Sequence, residues 1–108
     1  MAQTFKVLGQ ASLAAATPTD VYTVPAATSA VVSTVTVCNR SVATTFRLSV
    51  AVAGAGADNK QYLCYDVPLS ANETRTLTLG LTLAATDVIR GYAAAATVTV
   101  NIYGSQIT

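Results

Sequence analysis

The chain contains no histidine and no tryptophan, and charged residues make up only 10% of its 108 residues. Without histidine it lacks the side chain that most often serves as general base or metal ligand near neutral pH. Ser-His-Asp and Cys-His catalytic arrangements are therefore excluded, and the sequence predicts no enzyme and no catalytic residue. An ordinary domain carries about 25% charged residues, so the shortage of charge points to an unusual surface.

The few charges are almost balanced, since six Lys and Arg against five Asp and Glu give a formal net charge of +1. The basic residues are scattered, and no two of them are adjacent. Nucleic acids and anionic membranes both select clustered positive charge, so neither is an expected partner. No apolar run approaches the roughly 20 residues of a membrane-spanning helix. Gly9, Gln10 and Ser12 interrupt the only stretch that resembles an export signal, so synthesis is expected in the cytoplasm.

A positive mean hydropathy accompanies the shortage of charge. A free monomer of this composition would have a weakly hydrated surface and little charge repulsion between copies. The composition therefore predicts that other copies of the chain or partner proteins cover much of the outer surface. The alternative is a monomer that is merely rich in alanine and threonine.

The cysteines and carboxylates offer little chemistry. Cys38 and Cys64 lie in apolar strand patterns and are interpreted as reduced, buried small hydrophobes, with a disulfide as the alternative. Asp20, Asp58 and Asp87 fall at predicted turns, where aspartate caps the backbone. No metal site and no cofactor is predicted, because two thiols lack the four ligands of zinc and the Asp58 loop has too few oxygens for calcium.

Apolar residues alternate with threonine along much of the chain, as in Thr-Val-Thr-Val-Asn-Ile at 97–102. A period of two places one residue type on each face and predicts half-buried β-strands. Turn signals such as Pro25 and the glycine-rich segment 54–59 separate these strands. The predicted strands are 4–8, 21–24, 30–38, 44–53, 60–67, 73–83, 88–92 and 97–103.

The length suits a single domain over residues 1–108. About eight short strands without an amphipathic helix predict an all-β fold, an antiparallel β-sandwich of the jelly-roll or immunoglobulin type. The alanines at 93–96 are predicted to form a tight loop. Segment 73–83 is predicted to be one long strand with a bulge at Gly80.

Alternation also assigns faces within individual strands. Segment 60–67 has apolar residues on both sides and is predicted to be buried twice, in the core and against a neighbour. In segment 30–38 the residues predicted to share one face are Val31, Ser33, Val35 and Val37. The predicted inward residues of segments 44–53 and 97–103 are Phe46, Leu48, Val50, Val52, Val98, Val100 and Ile102.

Tyrosine and arginine side chains are the candidates for contacts between subunits. Tyr62 is predicted to face away from Leu63 and Tyr65, so that one of these faces leaves the core. Tyr103 is out of phase with the inward residues of its strand, whereas Tyr22 is predicted to pack. Two mid-strand arginines have two open interpretations, salt bridges between subunits or solvated heads along the surface. The interface candidates are Tyr62, Tyr65, Tyr103, Arg47 and Arg90.

Two stretches of the chain carry a resemblance. The first is Asp-Val-Tyr-Thr-Val-Pro-Ala at 20–26, followed by a valine strand that ends in Val-Cys-Asn-Arg at 37–40. The second is Leu-Ala-Ala-Thr-Asp-Val-Ile-Arg at 83–90, followed by a Thr/Val strand and Gly104. Both are similar to small virion proteins of tailed bacteriophages. The resemblance implies a small β-sandwich with a structural role in the particle, most commonly capsid cement or decoration, and it transfers no binding residue.

Composition and resemblance together lead to one expectation, a capsid cement or decoration protein of the virion that stabilises the shell through apolar contacts between subunits. Its expected partners are other copies of itself, with a trimer favoured, and the major capsid protein or other virion proteins. A neck, tail, baseplate or head-fibre-base component is one alternative. Another is a carbohydrate-binding sandwich, for which Tyr62 and Tyr65 near Asp66 are the candidate cluster.

Overall fold

The computed structural model describes residues 2–108. Within them the chain forms nine β-strands and two short 3-10 turns, and no α-helix. Each predicted strand is present, and segment 73–83 is divided in two. The strands are β1 (Gln3–Ser12), β2 (Thr19–Thr23), β3 (Ser29–Asn39), β4 (Thr44–Ala51), β5 (Tyr62–Leu69), β6 (Thr74–Leu77), β7 (Leu81–Leu83), β8 (Val88–Ala93) and β9 (Val98–Ile107).

The strands form two antiparallel sheets. The five-stranded sheet has the order β1-β9-β3-β6, and β7 also pairs with β3. The four-stranded sheet has the order β2-β8-β4-β5. The predicted all-β sandwich is confirmed, and its two long edge strands are β1 and β5.

The core lies between the two sheets. The four-stranded sheet contributes Phe46 and Leu48 of β4 to the core. The five-stranded sheet contributes Val98, Val100 and Ile102 of β9, and all five side chains are fully buried. These five inward positions are confirmed. Each fully buried side chain of this size contributes about 1.5–3 kcal/mol relative to its exposed state.

Two smaller predictions are also confirmed. Tyr22 packs in the core, and its hydroxyl accepts a hydrogen bond of 2.8 Å from the amide of Gln106. Of the alanines at 93–96, the first is the last residue of β8, and the others form a bend and the start of a turn before β9. Helix propensity does not determine the conformation of so short a segment between two paired strands.

A β-bulge in β3 changes the face predicted for the first half of that strand. The register against β9 shifts around Ser33. Val32 is buried together with Val35, whereas Val31 is half-buried and Ser33 is exposed. The prediction that Val31 and Ser33 share the inner face with Val35 and Val37 is wrong, because the extra residue of a bulge reverses the alternation.

The end of β4 also differs from the prediction. Ala51 is the last strand residue, and a 3-10 turn over Val52–Gly54 follows it. Val52 is 70% exposed, so its predicted inward position is wrong, and Val50 is half-buried. Alternation assigns faces only as far as the strand continues, and the turn carries Val52 out of the ladder.

Segment 73–83 is interrupted at Gly80. Both halves pair with β3, with Leu77 opposite Val35 and Leu81 opposite Val32. Gly80 has a φ of 62°, a conformation that glycine adopts without steric cost. The predicted bulge inside one long strand is therefore wrong, since the chain leaves the ladder here and divides into β6 and β7.

A buried amide at the end of β3 connects three loops. The Asn39 Nδ2 atom donates to the carbonyl oxygens of Val42 at 2.7 Å and Ser70 at 3.0 Å. Its Oδ1 atom accepts from the Thr97 hydroxyl at 2.8 Å and the Ser41 backbone N–H at 3.3 Å. The amide is 1% exposed, so these bonds replace the water that it has lost. They fix one end of the sandwich.

Candidate functional surfaces

The outer face of the four-stranded sheet collects most of the predicted interface side chains. Arg47 of β4 is paired with Tyr92 of β8. Ser49 of β4 lies between Arg90 of β8 and Tyr62 of β5. Directly paired residues of antiparallel strands point to the same face. These side chains therefore form one surface, on the side of the sheet that faces away from the core.

An irregularity in β5 places Tyr62 and Tyr65 together on this surface. Against β4, the register shifts between the Tyr62 and Cys64 pairings and again between Cys64 and Val67. The ring centroids of Tyr62 and Tyr65 are 4.8 Å apart, and the ring planes meet at 82°. The prediction that these two tyrosines face opposite sides is wrong, because the extra residue between Tyr62 and Cys64 reverses the alternation between them. The second shift involves Asp66, which has a φ of 50°.

β5 is an edge strand, and within its own chain only one of its two sides is buried; its predicted burial against a neighbour stays a prediction. β4 is its partner in the sheet. Cys64 and Val67 pack against the core from one side. On the other side Leu63 is 44% and Tyr65 is 56% exposed. The apolar residues of its second side thus belong to an open surface.

Arg47 is held between two tyrosine rings. Its guanidinium carbon lies 4.2 Å from the ring centroid of Tyr65 and 4.4 Å from that of Tyr92. Its Nε and Nη2 atoms donate to the two carboxylate oxygens of Asp66 at 2.7 and 3.3 Å. The hydrogen bond to Asp66 raises the pKa of Arg47 above its ordinary value, so the guanidinium stays charged. This arrangement holds the Tyr65 ring in place.

Arg90 is also fixed within the chain. Its Nε atom donates to Asp20 at 2.9 Å, and its Nη1 atom donates to the carbonyl oxygen of Ala55 at 2.8 Å. Asp20 lies inside β2, so the prediction that it caps a turn is wrong. Arg47 and Arg90 thus have carboxylate partners in their own chain, an arrangement that neither of the two interpretations from sequence includes.

Two other aspartates have the predicted capping role. Asp87 accepts from the backbone N–H groups of Ala84 and Ala53, both at 2.9 Å. It is buried, and it joins the turn before β8 to the turn after β4. Asp58 accepts from the backbone N–H of Lys60 at 3.4 Å. Both carboxylates thus bond to backbone N–H groups, Asp87 from a buried position and Asp58 from an exposed one.

Tyr103 lies on the other sheet, with its side chain on the outer face. Phe5 of β1 and Val31 of β3 are both paired with Ser105 of β9, and Phe5 is 80% exposed. A groove of about 520 Å³ runs over Gly104 and Ser105 between Phe5, Val31 and Tyr103. We name as the Phe5 patch the side chains of Phe5, Val7, Val31 and Tyr103.

A second concavity lies at the edge of the four-stranded sheet. It has a volume of about 350 Å³ and is lined by Asn59, Tyr62 and Tyr65. Asn59 begins the 3-10 turn Asn59–Gln61 that leads into β5. We name these three residues the Tyr62–Tyr65 cleft. It combines two aromatic rings with one amide, and it is separate from the Phe5 patch.

Much of the charge of the molecule is paired inside the chain. Besides the pairs of Arg47 and Arg90, the Nε atom of Arg75 lies 3.7 Å from a carboxylate oxygen of Glu73. Within residues 2–108 these three pairs engage three of the five carboxylates, and Asp87 is buried against backbone amides. The described surface therefore exposes even less unpaired charge than the composition indicates.

The two cysteines lie in different sheets, Cys38 in β3 and Cys64 in β5, and both are free thiols. Both are half-buried, so the burial predicted for them is only partial. Burial raises the pKa of the Cys64 thiol, and the charge of Arg75 opposes this shift. Among residues 2–108, no group of three or more His, Cys, Asp or Glu side chains has an arrangement that could hold a metal ion.

Sequence reasoning missed several members of these surfaces. Tyr92 lies two positions after Arg90 in β8, and alternation therefore predicts that both side chains face outward. Phe5 and Val7 alternate with polar residues, which predicts a shared face but not its exposure. For Asp66 there is no such signal, because the bulge that turns it toward Arg47 depends on the pairing with β4.

Comparison with known proteins gives no match. It matches no family model, no curated protein and no solved structure. A helix long and apolar enough to cross a membrane is not found among residues 2–108. The roles of the two surfaces are therefore inferred from their own geometry and chemistry.

Proposed function

We propose that the chain is a virion structural protein of the capsid cement or decoration type. In this proposal it is made in the host cytoplasm and takes its place in the virion of a tailed bacteriophage. It binds other copies of itself and the major capsid protein or another virion protein. The resemblance of segments 20–40 and 83–104 to small virion proteins supports this proposal, as does the sandwich fold that the resemblance implies.

The Phe5 patch is the observation that carries the proposal. The core is already filled by the inner faces of the two sheets, yet Phe5 stands 80% exposed beside Val7, Val31 and Tyr103. Exposed aromatic and aliphatic side chains that lie together mark surfaces for protein–protein contact. The groove floor of Gly104 and Ser105 has small residues, so an apolar side chain of a partner can enter it.

The energetics favour such a contact at many identical positions. Burial of an exposed side chain such as Phe5 contributes about 1.5–3 kcal/mol per copy, at about 25 cal/mol per Å² of apolar surface. Lys6 also lines the groove, but its long side chain can keep its charged end in water while its methylene groups are covered, so it adds little desolvation cost. Copies held around a closed symmetric assembly multiply the gain through avidity. A trimer suits a small sandwich that must contact several capsid subunits.

The test compares the wild-type chain with the Phe5→Ser variant. Light scattering over a range of concentrations is expected to show a homo-oligomer, and co-sedimentation is expected to show binding to shells of the virion. Phe5→Ser should weaken both while leaving the folded chain intact, because Phe5 contributes little to the core. Val52→Ser is the matched control, since Val52 is also highly exposed but lies in a turn away from the patch.

Three results would count against the proposal. One is a strict monomer at all concentrations with no binding to shells. Another is an equal effect of Phe5→Ser and Val52→Ser. The third is location of the chain at the neck, tail or fibre base when intact particles are imaged, which would move it to a different part of the virion.

A further inference from the structure

The Tyr62–Tyr65 cleft has the size and composition of a small-ligand site. It is a shallow, open depression with about 350 Å³ of space above Asn59, Tyr62 and Tyr65, which suits one ring of a larger ligand whose remainder stays in solvent. The two rings meet edge to face at 82°, and Tyr65 remains 56% exposed, so aromatic surface stays open to a ligand. The tyrosine hydroxyls and the Asn59 amide add hydrogen-bond donors and acceptors.

One wall of the cleft is already ordered. The guanidinium of Arg47 lies 4.2 Å from the centre of the Tyr65 ring, and both oxygens of Asp66 hold that guanidinium. Tyr92 stacks on Arg47 from the β8 side at 4.4 Å. Ordering a side chain on binding costs affinity, and this support removes much of that cost for Tyr65.

The charges around the cleft select against a charged ligand. Arg47 and Asp66 neutralise each other at 2.7 Å. A phosphate or carboxylate would have to compete with Asp66 for the guanidinium, and an ammonium group would have to compete with Arg47 for the carboxylate. A neutral ligand with polar groups needs no such exchange.

The shape of β5 selects against a peptide strand. β5 is the edge of its sheet, but its register shifts twice within the Tyr62–Val67 stretch. Bulges interrupt the regular row of N–H and C=O groups that an added strand would pair with, and Pro68 removes one further donor. A ligand that binds at this edge is therefore recognised by the side chains of the cleft.

We propose that the Tyr62–Tyr65 cleft binds a neutral pyranose ring of a glycan. A pyranose has an apolar face of C–H groups and a rim of hydroxyl groups. The face packs on a tyrosine ring, and the hydroxyls bond to the Asn59 amide and the tyrosine hydroxyls. The inference stands on the geometry of β5 and does not depend on the Phe5 patch or on assembly into a virion.

The experiment is a binding screen of the purified full chain against neutral oligosaccharides of glucose, galactose, mannose and N-acetylglucosamine. Sialylated and sulfated oligosaccharides form the charged arm, and hits are quantified by calorimetry. Tyr62→Ala and Tyr65→Ala should each weaken binding of a neutral hit by about tenfold or more, because each removes one aromatic wall. Leu79→Ala is the control, since Leu79 is an exposed side chain between β6 and β7 on the other sheet and outside the Phe5 patch; this variant should bind as the wild type does.

Two further variants separate the parts of the site. Tyr65→Phe should retain most of the affinity if the ring face carries the contact, and Asn59→Ala should weaken binding without changing the thermal unfolding of the chain. Binding to no neutral glycan would overturn the proposal, as would a preference for the charged arm. Equal losses in Tyr65→Ala and Leu79→Ala, or capture of extended peptides alone, would also overturn it. Loss of shell binding with glycan binding intact would count only against the cement function.

Discussion

The hydroxyl of Thr97 donates a hydrogen bond of 2.8 Å to the side-chain oxygen of Asn39 and so joins the loop before β9 to the end of β3. The other bonds of the Asn39 amide reach the loops at Val42 and Ser70. A single buried side chain thus adds to the backbone hydrogen bonds Asn39 N–H to Glu73 and Arg40 N–H to Thr97, which join the same segments. Its loss leaves polar groups of three loops without partners inside the fold.

Asn39→Ala is expected to lower the free energy of unfolding by about 3 kcal/mol, since it leaves more than one buried polar group unsatisfied. Urea unfolding followed by circular dichroism measures this change. Asn59→Ala, at an exposed asparagine, is the control and should change stability little. Equal unfolding midpoints for the two variants would contradict the role of the buried amide.

Gly104→Ala is expected to destabilise the fold by about 1–3 kcal/mol, because overpacking forces the backbone to shift. A Cβ atom at Gly104 would overlap the carbonyl oxygen of Val31 on the neighbouring strand β3. Gly56→Ala is the matched control, since no heavy atom lies within 4 Å of a Cβ atom placed there. Thermal unfolding of both variants should show a loss only in Gly104→Ala, and a similar loss in both would speak against the close approach of β9 and β3.

The Cys64 thiol gives a prediction about pH. Burial raises the pKa of Cys64 in the folded chain, with Arg75 acting in the opposite direction. A raised folded-state pKa stabilises the fold fully at pH values below the pKa of the unfolded thiol, and this contribution is lost as the pH rises through the folded-state pKa. In a Cys38→Ala background, stability should therefore fall in the alkaline range, and Cys64→Ala should reduce this fall.

Alkylation provides an independent measure of the same group. Iodoacetamide at mildly alkaline pH should modify Cys64 of the Cys38→Ala variant more slowly in the native chain than in urea, because the thiolate is the reactive form. Equal rates in the two states, or an alkaline loss of stability that is unchanged in Cys64→Ala, would show that burial does not control this thiol.

Arg47→Lys should release the Tyr65 ring. Lysine keeps the positive charge but lacks the planar group that stacks between Tyr65 and Tyr92 and bonds twice to Asp66. Aromatic NMR signals of Tyr65 should shift toward those of a mobile ring, while the thermal unfolding changes little because the pair is exposed. Arg90→Lys is the control, and an equal change of the Tyr65 signals in that variant would refute a specific stack.

Alternation predicts those parts of the fold where strands run without interruption. The inward positions of β9 and the first half of β4 follow from period two alone, because every second residue of a continuous ladder faces the same side. The sandwich itself follows from the number of such segments and the turn signals between them. The class of the fold was therefore accessible from sequence.

Bulges mark where this reasoning ends. At Ser33 one additional residue reverses the faces of β3, and in β5 one additional residue between Tyr62 and Cys64 brings Tyr62 and Tyr65 to the same side. A bulge depends on how two strands pair, and either strand alone is compatible with regular alternation. The tyrosines were identified as surface candidates from their residue type, but their contact depends on this pairing.

The ion pairs between neighbouring strands could not be predicted from the sequence either. Asp20 and Arg90 are 70 positions apart and meet because β2 and β8 are neighbours. Charges in a linear sequence show no partner until the strand order is known. Arg47 and Arg90 were interpreted as solvated or as bridging two subunits, because the sequence does not show that carboxylates of the same chain lie beside them.

The internal pairing of charges bears on how fast the molecule meets anything it binds. With the pairs at Arg47, Arg75 and Arg90 closed inside the chain, little electric field reaches beyond the surface to guide an approaching molecule. Encounters are expected near the unsteered rate of about 10⁵–10⁶ M⁻¹s⁻¹. The association rate constant should therefore be almost the same at low and at high salt concentration. Raising the concentration of the chain should be the effective way to increase its rate of association.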